Sequence, residues 1–139
     1  MIALGVLRLA TLERLDLDTP LSQLLPQVRL DNRWQARAPV TVRHLLDHTA
    51  GLEDLRLWHI FTARAEPNAP LADAFERTPD VLRVRSEPGT QFAYSNIGYT
   101  LAGMVIEAVT GERYEAWLDR ELLGPLGAND STFHGDVLS

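Results

Sequence analysis

Two segments, MIALGVLRLATLERL at residues 1–15 and GYTLAGMVIEAVT at residues 98–110, carry apolar residues on almost every helical face. A helix of that kind has no side to offer to water and needs neighbours all round. Strands to provide that cover are scarce. The clearest alternation of strand type is VLRVR, residues 81–85, which leads into a Pro88-Gly89 turn and predicts extended chain. The chain therefore reads as a mainly helical part of a larger fold. No internal repeat or low-complexity tract divides it, so residues 1–139 form a single partial domain on this reading.

The remaining helices are marked by their ends. Thr19 is placed to cap a short helix to Leu25, with Pro20 at its first position, where a missing N–H costs nothing. QVRLDNRWQARAP reads as irregular, and VTVRHLLDHTAGL predicts a helix near residues 42–48, with Thr41 as its cap and Gly51 as its stop. Residues 52–63 carry no clear period, RAEPNAP reads as a loop, and LADAFERTP as a short helix closed by Pro79. Gly111 ends the second apolar helix. ERYEAWLDRELLGPLG then follows as an amphipathic helix ended by Gly124 and Pro125.

Composition narrows the chemistry. A formal charge of -6 gives no electrostatic ground for nucleic acid or an anionic membrane as partner. The apolar start lacks a basic leader and a cleavage pattern, is interrupted by Arg8, and is read as helix rather than signal peptide. No apolar run reaches the roughly 18 residues of a membrane-spanning helix. Cysteine is absent, which removes disulfides, thiolate metal sites and a thiol nucleophile. His44 and His48 have the spacing of a zinc pair, but Leu45 stands where a zinc protease carries its glutamate, so neither a metal nor a cofactor is expected. Ser22, Ser86, Ser95, Ser131 and Ser139 are not framed by a Gly-x-Ser-x-Gly elbow. Trp34, Trp58 and Trp117 are taken as packing residues. All thirteen basic residues are arginine.

Four blocks, LDLDTPLSQLLP, VTVRHLLDHTAGL, PGTQFAYSNIGYTLAGMVIEAVTG and LLGPLGANDSTF, occur in an order and at separations that carry a resemblance over nearly the whole chain. Together they resemble serine hydrolases of the β-lactamase and penicillin-binding-protein type, in the branch with class C β-lactamases, D-alanyl carboxypeptidases and esterases. The fold so implied is the helical lobe of the β-lactamase/transpeptidase-like α/β fold, with most of the antiparallel sheet missing. The resemblance implies that Tyr94 exchanges protons with the nucleophile and leaving group, that Asn96 hydrogen-bonds the substrate's amide side chain, and that Ser95 is a spacer. Without it, Tyr94 and Asn96 read as a packed ring and a helix cap. The tetrapeptide His48-Thr49-Ala50-Gly51 becomes a structural turn.

A phenol ionises near pH ~10 and needs a neighbouring cation to act as a base at neutral pH. In the resembled family that cation is the lysine of Ser-x-x-Lys, and this chain has no lysine. Aligned by its blocks, Met1 falls just after the place where that motif would end, so the nucleophile is expected upstream. The family's third element, a Gly-bearing strand with Lys or His, is not found either, and His134-Gly135 is not assigned to it.

Two functions follow as expectations. The first is a fragment of a serine hydrolase acting on β-lactams, D-alanyl peptides or small esters through an acyl-serine, with this chain alone inert and a small-molecule or peptide substrate for the full-length form. The second is a non-catalytic, degenerate relative that binds a wall-peptide or β-lactam-like ligand or a protein partner. Self-association is expected through apolar faces around Ile2, Val6 and Leu9 and around Leu101, Val105 and Ile106. Family members are often periplasmic or extracytoplasmic, and the sequence gives no address of its own.

Overall fold

A computed structural model describes residues 1–54, 75 and 79–133. Helix α1 spans Ile2–Thr11, α2 Leu21–Leu24, α3 Val42–Leu46, α4 Asn96–Thr110 and α5 Tyr114–Leu118, which runs on into a π-helical turn, Asp119–Leu123. A 3-10 turn, Pro79–Leu82, precedes the segment that leads to α4. Among the described residues no strand forms, and only isolated bridges join Pro20 to Thr41, Asp31 to Arg83 and Leu52 to Val84. The mainly helical architecture is the one expected.

Helix α4 is the axle of the packing. Its Ile97, Gly98 and the run from Leu101 to Ile106 are buried, and α1, α2, α3 and α5 all lie against it. Ser95 caps its start by accepting the Gly98 N–H, and Gly111, in the left-handed conformation at φ +73°, ends it as predicted. Helix α1 approaches α4 and α5 closely because residue 5 is glycine. A Cβ there would stand 2.5 Å from Leu118 Cδ2, 3.1 Å from Ile106 Cδ1 and 3.3 Å from the Trp117 ring.

Several boundaries differ from expectation, each for a local reason. Helix α1 stops at Thr11 rather than near Leu15, because Glu13 turns left-handed at φ +58°. The Arg14 N–H then bonds the Leu9 carbonyl and the Glu13 N–H the Ala10 carbonyl, a Schellman closure that usually uses glycine. Helix α3 stops at Leu46, two residues early, for the same reason: His48 sits at φ +59° and the Thr49 N–H reaches back to the His44 carbonyl. Gly51 is therefore not its stop. It is left-handed at φ +77° where the chain passes against the Ser86 backbone, which leaves no room for a Cβ.

Thr41 caps α3 as predicted, in a capping box completed by His44. Thr19 does not cap α2. Pro20 holds the cap position, and the Leu21 N–H pairs with the Val40 carbonyl across the bridge instead. The extended chain expected at residues 81–85 begins only at Arg83, because the Arg83 N–H closes a turn on the Asp80 carbonyl. The loop and helix expected between residues 64 and 78 lie outside the described residues, apart from Phe75, which is helical and buried.

The apolar faces expected to lie bare are covered. Val6, Leu9, Leu101, Val105 and Ile106 are fully buried and Ile2 is half-buried, because α1 and α4 cover each other. The exposed apolar face is the other side of α1, where Leu4 is 49% and Leu7 43% exposed, with Met1 and Leu12 at either end. α1 is thus not buried all round within the described residues.

Candidate active site

The last turn of α3 and the first turn of α4 meet at His48. The left-handed backbone there swings the imidazole across to the segment ahead of α4, where its centroid lies 4.7 Å from the Tyr94 ring and 5.1 Å from that of Tyr99, with Phe92 edge-on at 5.7 Å. His48 Nδ1 accepts the Ser95 N–H at 3.1 Å, and the His48 carbonyl accepts the Ala93 N–H at 2.8 Å. Tyr99, one turn into α4, donates its hydroxyl to the Leu46 carbonyl at 2.9 Å. The 92–96 segment is therefore held by side-chain and backbone bonds at once.

Tyr94 and Asn96 come together on the open side of this clamp. The Tyr94 hydroxyl donates to Asn96 Oδ1 at 3.2 Å, and both residues are exposed. Asp54 lies against Asn96: it accepts the Asn96 backbone N–H at Oδ1, 2.9 Å away, and Asn96 Nδ2 contacts Asp54 Oδ1 and Oδ2 at 3.1 and 3.2 Å. A carboxylate at the first turn of a fifteen-residue helix also meets the positive end of the helix dipole.

Ser95 is more than the spacer it was taken for. It is buried, its Oγ donates to the Glu53 carbonyl at 3.3 Å, and the same oxygen accepts the Gly98 N–H at 3.3 Å. Ser95, not Asn96, is the helix cap. Ser95 also lies beside His48, but its backbone N–H and not its Oγ meets the imidazole, so the pair has no nucleophile-base geometry.

His44 and His48 are not brought to one helical face, because α3 ends between them. Each spends its Nδ1 on a backbone N–H, of Thr41 at 3.1 Å and of Ser95 at 3.1 Å. Among the described residues no group of three or more His, Asp and Glu is arranged to hold a metal ion. Trp117 is fully buried and Trp34 half-buried, with the Arg33 guanidinium 4.3 Å from the Trp34 ring centre. Trp58 and His134-Gly135 lie outside the described residues.

Burial holds the His44 imidazole below its ordinary value of 6.5, against the pull of Asp47 and Asp18 and with a smaller push from Arg43. Its Nδ1 must be unprotonated to accept the Thr41 N–H. The unfolded chain then takes up the proton first as pH falls. The contribution to stability is full above 6.5 and is lost as pH falls from there through the lower folded value. Melting curves between about pH 7.5 and about pH 5.5 should show this loss in the wild type. In His44→Gln, which keeps the capping box without a titrating group, the curve should be flatter. An equal loss in both proteins would assign it elsewhere.

Asp54 and the cap role of Ser95 were missed in the sequence. Asp54 lies in a stretch with no period, and its partner is 42 residues away. Ser95 carried a usable signal, a serine just ahead of an apolar helical run.

Among the described residues the longest helix, α4, opens on a paired tyrosine and asparagine, and the fold is that of the helical lobe of β-lactamase-like proteins. Residues 1–137 match the family model described as Beta-lactamase, and the chain belongs to that family of serine hydrolases. It is 31% identical over 112 residues to a penicillin-binding protein of Bacillus subtilis (strain 168), covering 78% of this chain and 25% of that one. Among solved structures it is similar to the octameric penicillin-binding protein homologue from Pyrococcus abyssi, with a TM-score of 0.75 at 30% identity, covering 92% of this chain and 29% of that one. It is also similar to the D-amino acid amidase from Ochrobactrum anthropi SV3, with a TM-score of 0.70 at 32% identity, covering 93% and 34%. The chain spans about a quarter of the length of the curated relatives it matches.

Proposed function

We propose that these residues are part of a serine hydrolase that acts on amide or ester carbonyls, of a β-lactam, a D-alanyl peptide or a small ester, through an acyl-serine intermediate. The observation that carries the reading is the Tyr94 hydroxyl set 3.2 Å from Asn96 Oδ1 on an exposed edge, with both side chains braced from behind. A serine attacking a carbonyl must lose a proton as its C–O bond forms, and the leaving amine or alkoxide must gain one as its own bond breaks. Tyr94 is the group proposed to carry that proton in both directions. Asn96 orients the substrate's amide side chain beside it. That a similar protein is named as a D-amino acid amidase supports the carbonyl class, because amide cleavage is the same chemistry.

With no lysine in the 139 residues, the chain holds no Ser-x-x-Lys and is proposed to be inactive by itself. Incubation with a chromogenic β-lactam and a short-chain nitrophenyl ester should give no turnover above buffer. Turnover that disappears in Tyr94→Phe would overturn the inertness and place a complete site within these residues.

Self-association is proposed through the outer face of α1 rather than the faces first expected. Contiguous exposed apolar side chains favour association or dye binding. The isolated chain should bind a hydrophobic dye or form oligomers, and a Leu4→Glu, Leu7→Glu double variant should lose most of that signal. A wild-type chain that stays monomeric and binds no dye would contradict it.

A further inference from the structure

We infer that Asp54 is a positioning residue that fixes which end of the Asn96 side-chain amide faces Tyr94. An asparagine amide has an acceptor end and a donor end of nearly the same shape, and only its hydrogen-bond partners decide between them. The Asp54 carboxylate accepts but does not donate when ionised, so it takes the Nδ2 end, at 3.1 and 3.2 Å. The opposite orientation would set Oδ1 against the carboxylate oxygens, a contact with no proton in it.

With Nδ2 committed to Asp54, Oδ1 is turned to the Tyr94 hydroxyl, 3.2 Å away. The carboxylate is itself located by the Asn96 backbone N–H at 2.9 Å, while the neighbouring Glu53 carbonyl is held by Ser95 Oγ at 3.3 Å. The 53–54 segment thus reads the start of α4 at two successive residues. Charge-assisted hydrogen bonds of this kind are about twice as strong as neutral ones. The importance of this orientation for turnover rests on the function proposed above; the orientation itself does not.

The test is therefore made on the 139-residue chain without substrate, by nuclear magnetic resonance of the asparagine side-chain amide protons. Asn129 is exposed and serves as the internal reference. The Asn96 Nδ2 protons should exchange with water about tenfold more slowly than those of Asn129 or slower still, in line with a charge-assisted bond. In Asp54→Ala they should rise to the Asn129 rate while the Gly98 amide, bonded to Ser95 Oγ, keeps its protection. Asp54→Asn, which retains one acceptor oxygen, should fall between.

If Asp54→Ala does not fold, the wild-type comparison and Asp54→Asn decide. The inference is overturned by wild-type Asn96 protons that exchange as fast as those of Asn129, or by a rate that neither variant moves. No turnover enters this readout, so failure of the catalytic reading leaves its outcome standing.

Discussion

Trp117→Ala should lower the unfolding free energy of the chain by about 3–5 kcal/mol, the cost of emptying a fully buried aromatic site that cannot close up. Trp117 is 1% exposed and sits where three helices converge. The backbone of α1 passes over its ring at Gly5, whose virtual Cβ lies 3.3 Å away, and Ile106 of α4 and Leu118 of α5 crowd the same spot. α1 and α4 already cover each other and are not free to move inward without losing their own contacts. Domains are stable by only about 5–15 kcal/mol, so a loss of this size takes much of the total. Urea unfolding followed by circular dichroism checks it, with the midpoint displaced at unchanged steepness. A loss below about 1 kcal/mol, the level of an ordinary substitution, would mean that this junction is not the core.

Tyr94→Phe should lower the rate of acyl transfer about 100- to 10,000-fold in the full-length hydrolase, the range that a positioned acid-base group contributes. Its effect on stability should stay within about 0.5 kcal/mol, as for a surface change. The two expectations differ because the residue has two parts. The ring stacks on His48 with centroids 4.7 Å apart, and phenylalanine keeps that contact. The hydroxyl belongs to an exposed residue, bonds the neighbouring Asn96 among the described residues, and is the group proposed to carry the proton. Kinetics and a thermal melt on the same preparation separate them. A rate within threefold of the wild type would remove Tyr94 from the reaction.

The parts of this molecule legible in its sequence are those that local chemistry dictates. Thr41 and Gly111 mark helix ends with the residue types those positions favour, and the structure uses both. Gly98 to Thr110 was read as buried on most faces, and it is the central helix. Where the reading failed, the usual signal residue was absent: Glu13 and His48 take left-handed positions that glycine normally fills. Thr19 loses its cap role because the chain beside it pairs with residues 40–41.

At the candidate site, Tyr94 and Asn96 were singled out through the resemblance of the blocks around them. Their support from the 53–54 segment joins residues 42 positions apart, which one sequence does not encode as any local pattern. The covered side of α1, with Val6 and Leu9, was expected to lie bare because Leu4 and Leu7 on the exposed side are no less apolar. Apolar character alone does not say which face a neighbour takes.

The most direct test of the central claim, that Tyr94 and Asn96 serve an acyl-serine hydrolase whose serine and lysine lie outside these residues, is an intact-mass measurement. The protein is expressed with its upstream reading frame in place and treated with a β-lactam and an activated ester. The account expects a product well above 15.5 kDa that gains one acyl group on the serine of an in-frame Ser-x-x-Lys preceding Met1. A product of 15.5 kDa that gains no mass from either reagent would contradict it.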